Sequence, residues 1–274
     1  LPFCPPKKYW DLYDPADFEL APDAGRTLNA PDVAYHEHHE LGGYKEIPKD
    51  EKIGADKTRH LRHGYYACVS YVDAQVGKLL DALERFGLDE NTIIVFWGDH
   101  GYSLGEAARW CKGTNFEMDT RAPLMFRFPG MPEPGMATDA LVEYVDIYPT
   151  VVELAGLPAA PDLDGKSMVP VLKDPAKEVR QFVLSQFARP FNPSLPEVMG
   201  YSVRTQAHRY TRWIRWPLRE TIAQELYDYS STRSVAKQGA ILVERENVIG
   251  DPAYRQVRER LSAMMDQTLE KRTN

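Results

Sequence analysis

The stretch at residues 91–112, NTIIVFWGDHGYSLGEAARWCK, constrains the fold more than any other. Residues 92–97 form an unbroken apolar run that stops at Gly98, and Asp99, His100 and Gly101 follow. Such a run suits a strand buried on both faces, as in a parallel sheet covered by helices. In those sheets ligands bind just beyond the carboxyl ends of the strands. A carboxylate and an imidazole therefore stand side by side where α/β proteins do chemistry. The flanking glycines allow a sharp turn and leave room for an ion or a substrate.

Ahead of this strand, apolar residues recur at Leu61, Tyr65, Cys68, Val69, Val72, Val76, Leu79, Leu80 and Leu83. The spacing predicts a long amphipathic helix, with Asp56 as N-cap and Gly87 as the stop. Helix followed by strand is the α/β pattern. A second buried strand is expected at 123–128 and a short one at 140–143. A helix capped by Asp146 should follow through residue 155, with Pro149 in its first turn, and then a strand at 181–187. Composition shifts to Pro, Asn and Ser around 188–196, a candidate boundary. Beyond it, 200–205, 209–216 and 225–228 read as short antiparallel strands. A last helix starts at Asp251-Pro252 and is expected to bury Tyr254, Val257, Leu261, Met264 and Leu269. The expected division is 1–190 for an α/β domain and 191–274 for a small α+β subdomain.

With 274 residues the chain can hold a large core. It contains no apolar run long enough to span a membrane. A net charge of -7 argues against a nucleic-acid backbone as main partner. Cys4, Cys68 and Cys111 are an odd number at no metal-like spacing, and Cys68 reads as core. The chain opens at Leu1 with no initiator Met and no leader, and is expected to be part of something longer. The segment YHEHHE, 35–40, fails the HExxH pattern and reads as a polar loop. Glu106 and Arg109 are expected to form local surface pairs of little worth.

Asp99 can ligate a hard divalent cation through oxygen, and His100 can ligate a metal or donate to an anion. Lys112 is bracketed by Trp110 and Phe116, which can hold it over a pocket. A point charge with three donors suits a tetrahedral oxyanion such as sulfate or phosphate. Glu143 can reach substrate hydroxyls or amines, or can be an exposed strand-end acid.

The segments LPFCPPKKYWDLYDP, GYYACVSYVDAQVGKLLDAL, TIIVFWGDHGYSLGE, WCKGTNFE, RAPLMFRFPG, LVEYVDIYPTVVELAGL, LDGKSMVPVL and MGYSVRTQAHRYTRW together resemble a type I sulfatase, most of all the iduronate-2-sulfatase group. The resemblance implies an alkaline-phosphatase-like α/β sandwich, incomplete at its N-terminus, with a small C-terminal subdomain. It implies that Asp99 and His100 are metal ligands and that Lys112 and His100 act in catalysis. Lys112 would also grip the substrate sulfate, with Tyr102 lining the pocket and Glu143 near the sugar subsite.

The family nucleophile is a formylglycine made from the Cys of C-x-P-x-R. Cys4-Pro5-Pro6-Lys7-Lys8 carries Lys8 in place of Arg, and Cys4 is expected to be a small apolar filler. The resemblance therefore implies the C-terminal portion of a sulfatase whose missing N-terminal half holds the nucleophile. It implies one divalent metal, calcium by family, although His100 is a poor ligand for so hard an ion. The implied substrate is a sulfated sugar, 2-sulfated iduronate or a related uronate, and the implied location is exported. A phosphatase or phosphodiesterase on the same superfold, or a non-catalytic fragment, stands as the alternative.

Overall fold

The computed structural model describes residues 3–20, 25–36, 39–47, 53–190, 197–216, 218–238 and 241–271. The chain begins with α1 (Lys7–Trp10), α2 (His39–Gly42) and α3 (Ala55–Arg85), then β1 (Ile94–Trp97), β2 (Ser103–Leu104) and β3 (Trp110–Cys111). Next come α4 (Glu117–Thr120), β4 (Leu124–Arg127), α5 (Ile147–Leu154) and α6 (Val169–Lys173). The rest is β5 (Phe182–Arg189), β6 (Val198–Thr205), β7 (His208–Arg215), β8 (Glu220–Asp228), β9 (Val235–Gln238), β10 (Ile241–Glu244) and α7 (Arg255–Lys271). These elements sort into two compact units that interleave along the sequence. One comprises 1–26, 37–90 and 102–112; the other comprises 27–36, 91–101 and 113–274.

The first unit is built on α3. Its N-cap is Gly54 rather than Asp56. Asp56 lies in the first turn, where its charge suits the helix dipole and Arg59 reaches it at 3.2 Å. At the other end Gly87 takes φ +65, with Gly87 N donating to Glu84 O and Leu88 N to Leu83 O, a Schellman stop. Leu61 packs with Leu41, Ile47, Leu104, Trp110 and Cys111. Further along the helix, Val69, Val72, Leu79 and Leu80 are exposed. Cys4, expected as filler, is exposed, and Cys68 is only half-buried.

In the second unit β1 pairs with β4 antiparallel, Ile94 opposite Arg127 and Trp97 opposite Leu124. The expectation of a parallel strand buried on both faces does not hold locally: Trp97 is 49% exposed. An apolar run reports what a strand can bury, not the direction of its partner. The strand expected at 140–143 is a single bridge, Leu141 to Arg180. Asp146 does not cap α5 with its side chain. Its carboxylate accepts instead from Glu143 N, Lys166 N and Arg180. The boundary expected at 188–196 falls largely on 191–196, outside the described residues.

The strands β5, β6, β7 and β8 form one antiparallel sheet in sequence order. Alternation gives each face its own core. Val203, Tyr210 and Leu226 pack with Leu261 and Met265 of α7. The opposite face carries Trp213 and Tyr227, packed with Ala34, Phe116 and Val235. Gly200 faces Trp213 in register, and a Cβ there would stand 2.5 Å from the indole ring. Asp251 caps the start of the last helical segment through Ala253 N, as its Asp-Pro sequence predicts.

That second face also holds a buried ionic network. Arg209 donates to Glu117 Oε2 at 2.6 Å, Thr120 Oγ1 at 2.9 Å and Tyr229 OH at 3.0 Å. Arg204 donates to both Glu117 oxygens, and Glu244 Oε1 accepts from Glu117 N and Tyr229 OH. These bonds anchor α4 and, with it, the segment that follows Lys112.

Candidate active site

Asp99 and His100 lie in the second unit, in a turn pinned at both ends. Gly98 N donates to Pro123 O at 3.0 Å, and Tyr144 OH donates to Gly98 O. Gly101 N donates to Asp119 O at 2.8 Å. A Cβ on Gly101 would stand 1.9 Å from Met118 O, so glycine is required here by close backbone approach rather than to leave space for a ligand.

Within that turn His100 Nδ1 is 2.9 Å from Gly101 O. A carbonyl only accepts, so Nδ1 carries the proton, and a ring with that one proton would present Nε2 as an acceptor. Nε2 stands 3.4 Å from Asp99 Oδ2. Two cis ligands about 2.4 Å from one divalent cation lie about 3.4 Å apart. The pair would therefore suit two ligands of one divalent metal, with the ring held from behind in the manner of a ligating histidine. Among the described residues no group of three or more His, Cys, Asp or Glu converges in this way. Tyr144, not foreseen from sequence, is the neighbour of Asp99; burial first, then that carboxylate, raises its phenol pKa.

Tyr102 and Lys112 lie in the first unit, flanking the β2–β3 hairpin in which Ser103 opposes Cys111 and Leu104 opposes Trp110. Lys112 Nζ is ion-paired to Glu40 and stands 5.7 Å from the Tyr102 ring centroid. Glu40 also accepts from Tyr44 OH at 3.1 Å. Burial raises the Glu40 pKa, but the hydrogen bonds from Lys112 and Tyr44 outweigh it and hold the carboxyl below its usual range. The Tyr44 phenol is pushed up to about 12, chiefly by burial. Tyr102 donates to Cys111 Sγ at 3.2 Å and packs against Phe3 and Tyr65; burial and that bond raise its pKa.

Two sequence expectations need correction here. Glu40 is not part of a solvated loop: it lies on α2 as the partner of Lys112, while Glu37 and His38 of the same segment lie outside the described residues. Glu106 and Arg109 are buried, not surface pairs, and Glu106 is bound by Arg62 at 2.5 Å. Neither pairing leaves a local sequence signal, because the partners are far apart in the chain.

Glu143, in the second unit, receives a hydrogen bond from Leu184 N at 2.7 Å and stands 3.4 Å from Arg180. It also lines a cleft of about 310 Å³ with Lys166, Arg180 and Phe182.

Solved structures share this mixed α/β architecture, the alkaline-phosphatase-like hydrolase fold. The phosphonate monoester hydrolase SpPMH of Silicibacter pomeroyi matches with a TM-score of 0.76 at 25% identity, over 98% of this chain and 54% of that one. BT4656, solved in complex with its substrate D-Glucosamine-2-N, 6-O-disulfate, matches with a TM-score of 0.68 at 27% identity, over 81% of this chain and 44% of that one.

The chain belongs to the sulfatase family. Residues 33–157 match the sulfatase family model, and 105–271 match that of the N-sulphoglucosamine sulphohydrolase C-terminal region. Mouse (Mus musculus) iduronate 2-sulfatase is 33% identical over 81% of this chain and 51% of its own length. The chain thus spans about half the length of the curated iduronate 2-sulfatases it matches.

Proposed function

We propose that this chain is the C-terminal portion of a sulfuric ester hydrolase acting on sulfated sugars, with 2-sulfated iduronate as substrate class. The observation that carries the proposal is the strand-end pair, His100 Nε2 beside Asp99 Oδ2 with Nδ1 tied to Gly101 O. In this reading Asp99 and His100 supply two ligands to a divalent metal, calcium by family habit. When bound, such a metal would neutralise charge on the sulfate. Lys112 grips a sulfate oxygen, and Tyr102 offers an aromatic wall. Glu143 serves the sugar side, from the cleft it lines. The nucleophile, a formylglycine hydrate, belongs to the N-terminal half of the complete polypeptide. The expected boundary at 190/191 would split β5 from β6, which share one sheet, so a subdomain holding that sheet begins no later than Phe182; the proposal takes the protein as exported.

One finding favours a second reading, a hydrolase of phosphorus esters: the likeness to a phosphonate monoester hydrolase over nearly the whole chain. The two readings separate in a single assay. A complete sulfatase polypeptide containing this chain is given a 2-sulfated iduronoside and a phosphonate monoester at equal concentration. The proposal expects kcat/KM to favour the sulfate ester by at least about a hundredfold, a difference of about 2.7 kcal/mol in transition-state binding. Preference for the phosphonate would discard it.

A further inference from the structure

We infer that Arg62 and Glu106 form a clamp on a strained hairpin, and that this clamp positions Lys112. The inference rests on the reading of Lys112 as the sulfate-gripping group.

Within 105–111, Gly105 has φ +105, Ala107 +46, Ala108 +57 and Cys111 +65. Three of these residues carry a Cβ that clashes with backbone in the left-handed region. Such conformations persist only where their surroundings over-determine them. Cys111 immediately precedes Lys112, so its left-handed turn sets the direction in which the lysine leaves the chain.

The restraint on the hairpin comes from α3. Arg62 Nε donates to Leu104 O at 3.1 Å, one terminal nitrogen binds Glu106 Oε1 at 2.5 Å, and the other donates to Glu19 O at 2.7 Å. The second Glu106 oxygen accepts from Leu104 N at 2.6 Å. Backbone bonds from Gly105 N to Arg109 O and from Arg109 N to Glu106 O complete the loop. One planar fork thus reaches three acceptors at once, which an ammonium cannot reproduce. Glu106 is buried and depends on this cation. Neither Arg62 nor Glu106 has a bond to Lys112 in this network; their influence on it runs through the backbone, so both are positioning residues.

The test is a double-mutant cycle in the complete polypeptide, read as kcat/KM for a 2-sulfated iduronoside, with thermal unfolding alongside. Arg62→Lys is expected to lower kcat/KM by at least tenfold. In a Lys112→Met background the same change is expected to cost no more than twofold, because there is no longer an ammonium to aim. A full tenfold loss in both backgrounds would mean that Arg62 serves stability alone and would overturn the clamp. Should Arg62→Lys fail to fold, Glu106→Gln replaces it in the cycle with the same expectations, since it keeps shape and the acceptor for Leu104 N. Lys112→Met with wild-type activity removes the underlying reading and the clamp with it. A crippled Lys112→Met with fully multiplicative Arg62→Lys removes the clamp alone.

Discussion

Replacing Lys112 with alanine in a complete sulfatase polypeptide should lower kcat for a sulfate ester by about a hundredfold to a thousandfold, the usual effect of deleting one preorganised partner of a developing oxyanion. The ammonium is part-exposed and pairs with Glu40 rather than with core backbone, so its loss leaves the hairpin's own bonds in place. Thermal unfolding should move little. The combination of collapsed turnover and preserved folding is the signature of a substrate-gripping charge. If the alanine variant turns over as well as its parent, Lys112 has no part in the chemistry.

Arg209→Ala should be the most destabilising single change in the second unit, by about 3–5 kcal/mol, because it leaves buried carboxylates without their cation. Glu117 and Glu244 are both buried, and Arg209 also holds Tyr229, Ser202 and Thr120. The network carries a pH signature as well. Burial pushes the Glu117 carboxyl up, but Arg209 and Arg204 overcome it and hold the pKa near about 2 against 4.5 in an unfolded chain. A depressed folded pKa means that the contribution is complete above about pH 4.5 and is lost as pH falls toward 2. The shift corresponds to about 3 kcal/mol for Glu117. Urea unfolding of the parent and of Arg209→Ala between pH 3 and 7 reads both effects. Equal midpoints for the two proteins at pH 7 would show that the network contributes nothing net.

Much of this fold is written locally and could be read so. The 3–4 spacing from Leu61 to Leu83 marks α3, Gly87 marks its end, and Asp251-Pro252 marks the last helical segment. Alternation with turn residues marks the antiparallel sheet, which begins and ends within a few residues of expectation apart from a longer β8. What escaped is long-range or conformational. The hairpin at 103–111 owes its shape to left-handed alanines and a cysteine, residue types that do not announce such backbone. The Lys112–Glu40 and Arg62–Glu106 pairs join residues 72 and 44 positions apart. Charge signs alone do not choose between partners at that distance. The same holds for β1, whose composition said "buried" but could not say that β4 would return alongside it antiparallel.

Of the proposed site, Asp99, His100, Lys112 and Tyr102 were singled out from sequence because a strand end, a glycine-bounded turn and a family likeness all fall on one stretch. Their supporting residues were not. Tyr144 on Gly98 O, Glu40 on Lys112 and Glu106 under Arg62 became visible only once packing was known.

The proposed function requires Asp99, His100 and Lys112 to serve one sulfate group. A crystal structure of the complete polypeptide grown with its divalent metal and inorganic sulfate tests it most directly. The account predicts metal density on Asp99 Oδ2 and His100 Nε2, and a sulfate oxygen within hydrogen-bonding distance of Lys112 Nζ. Sulfate bound elsewhere, with Lys112 still on Glu40 and no metal beside His100, would contradict it.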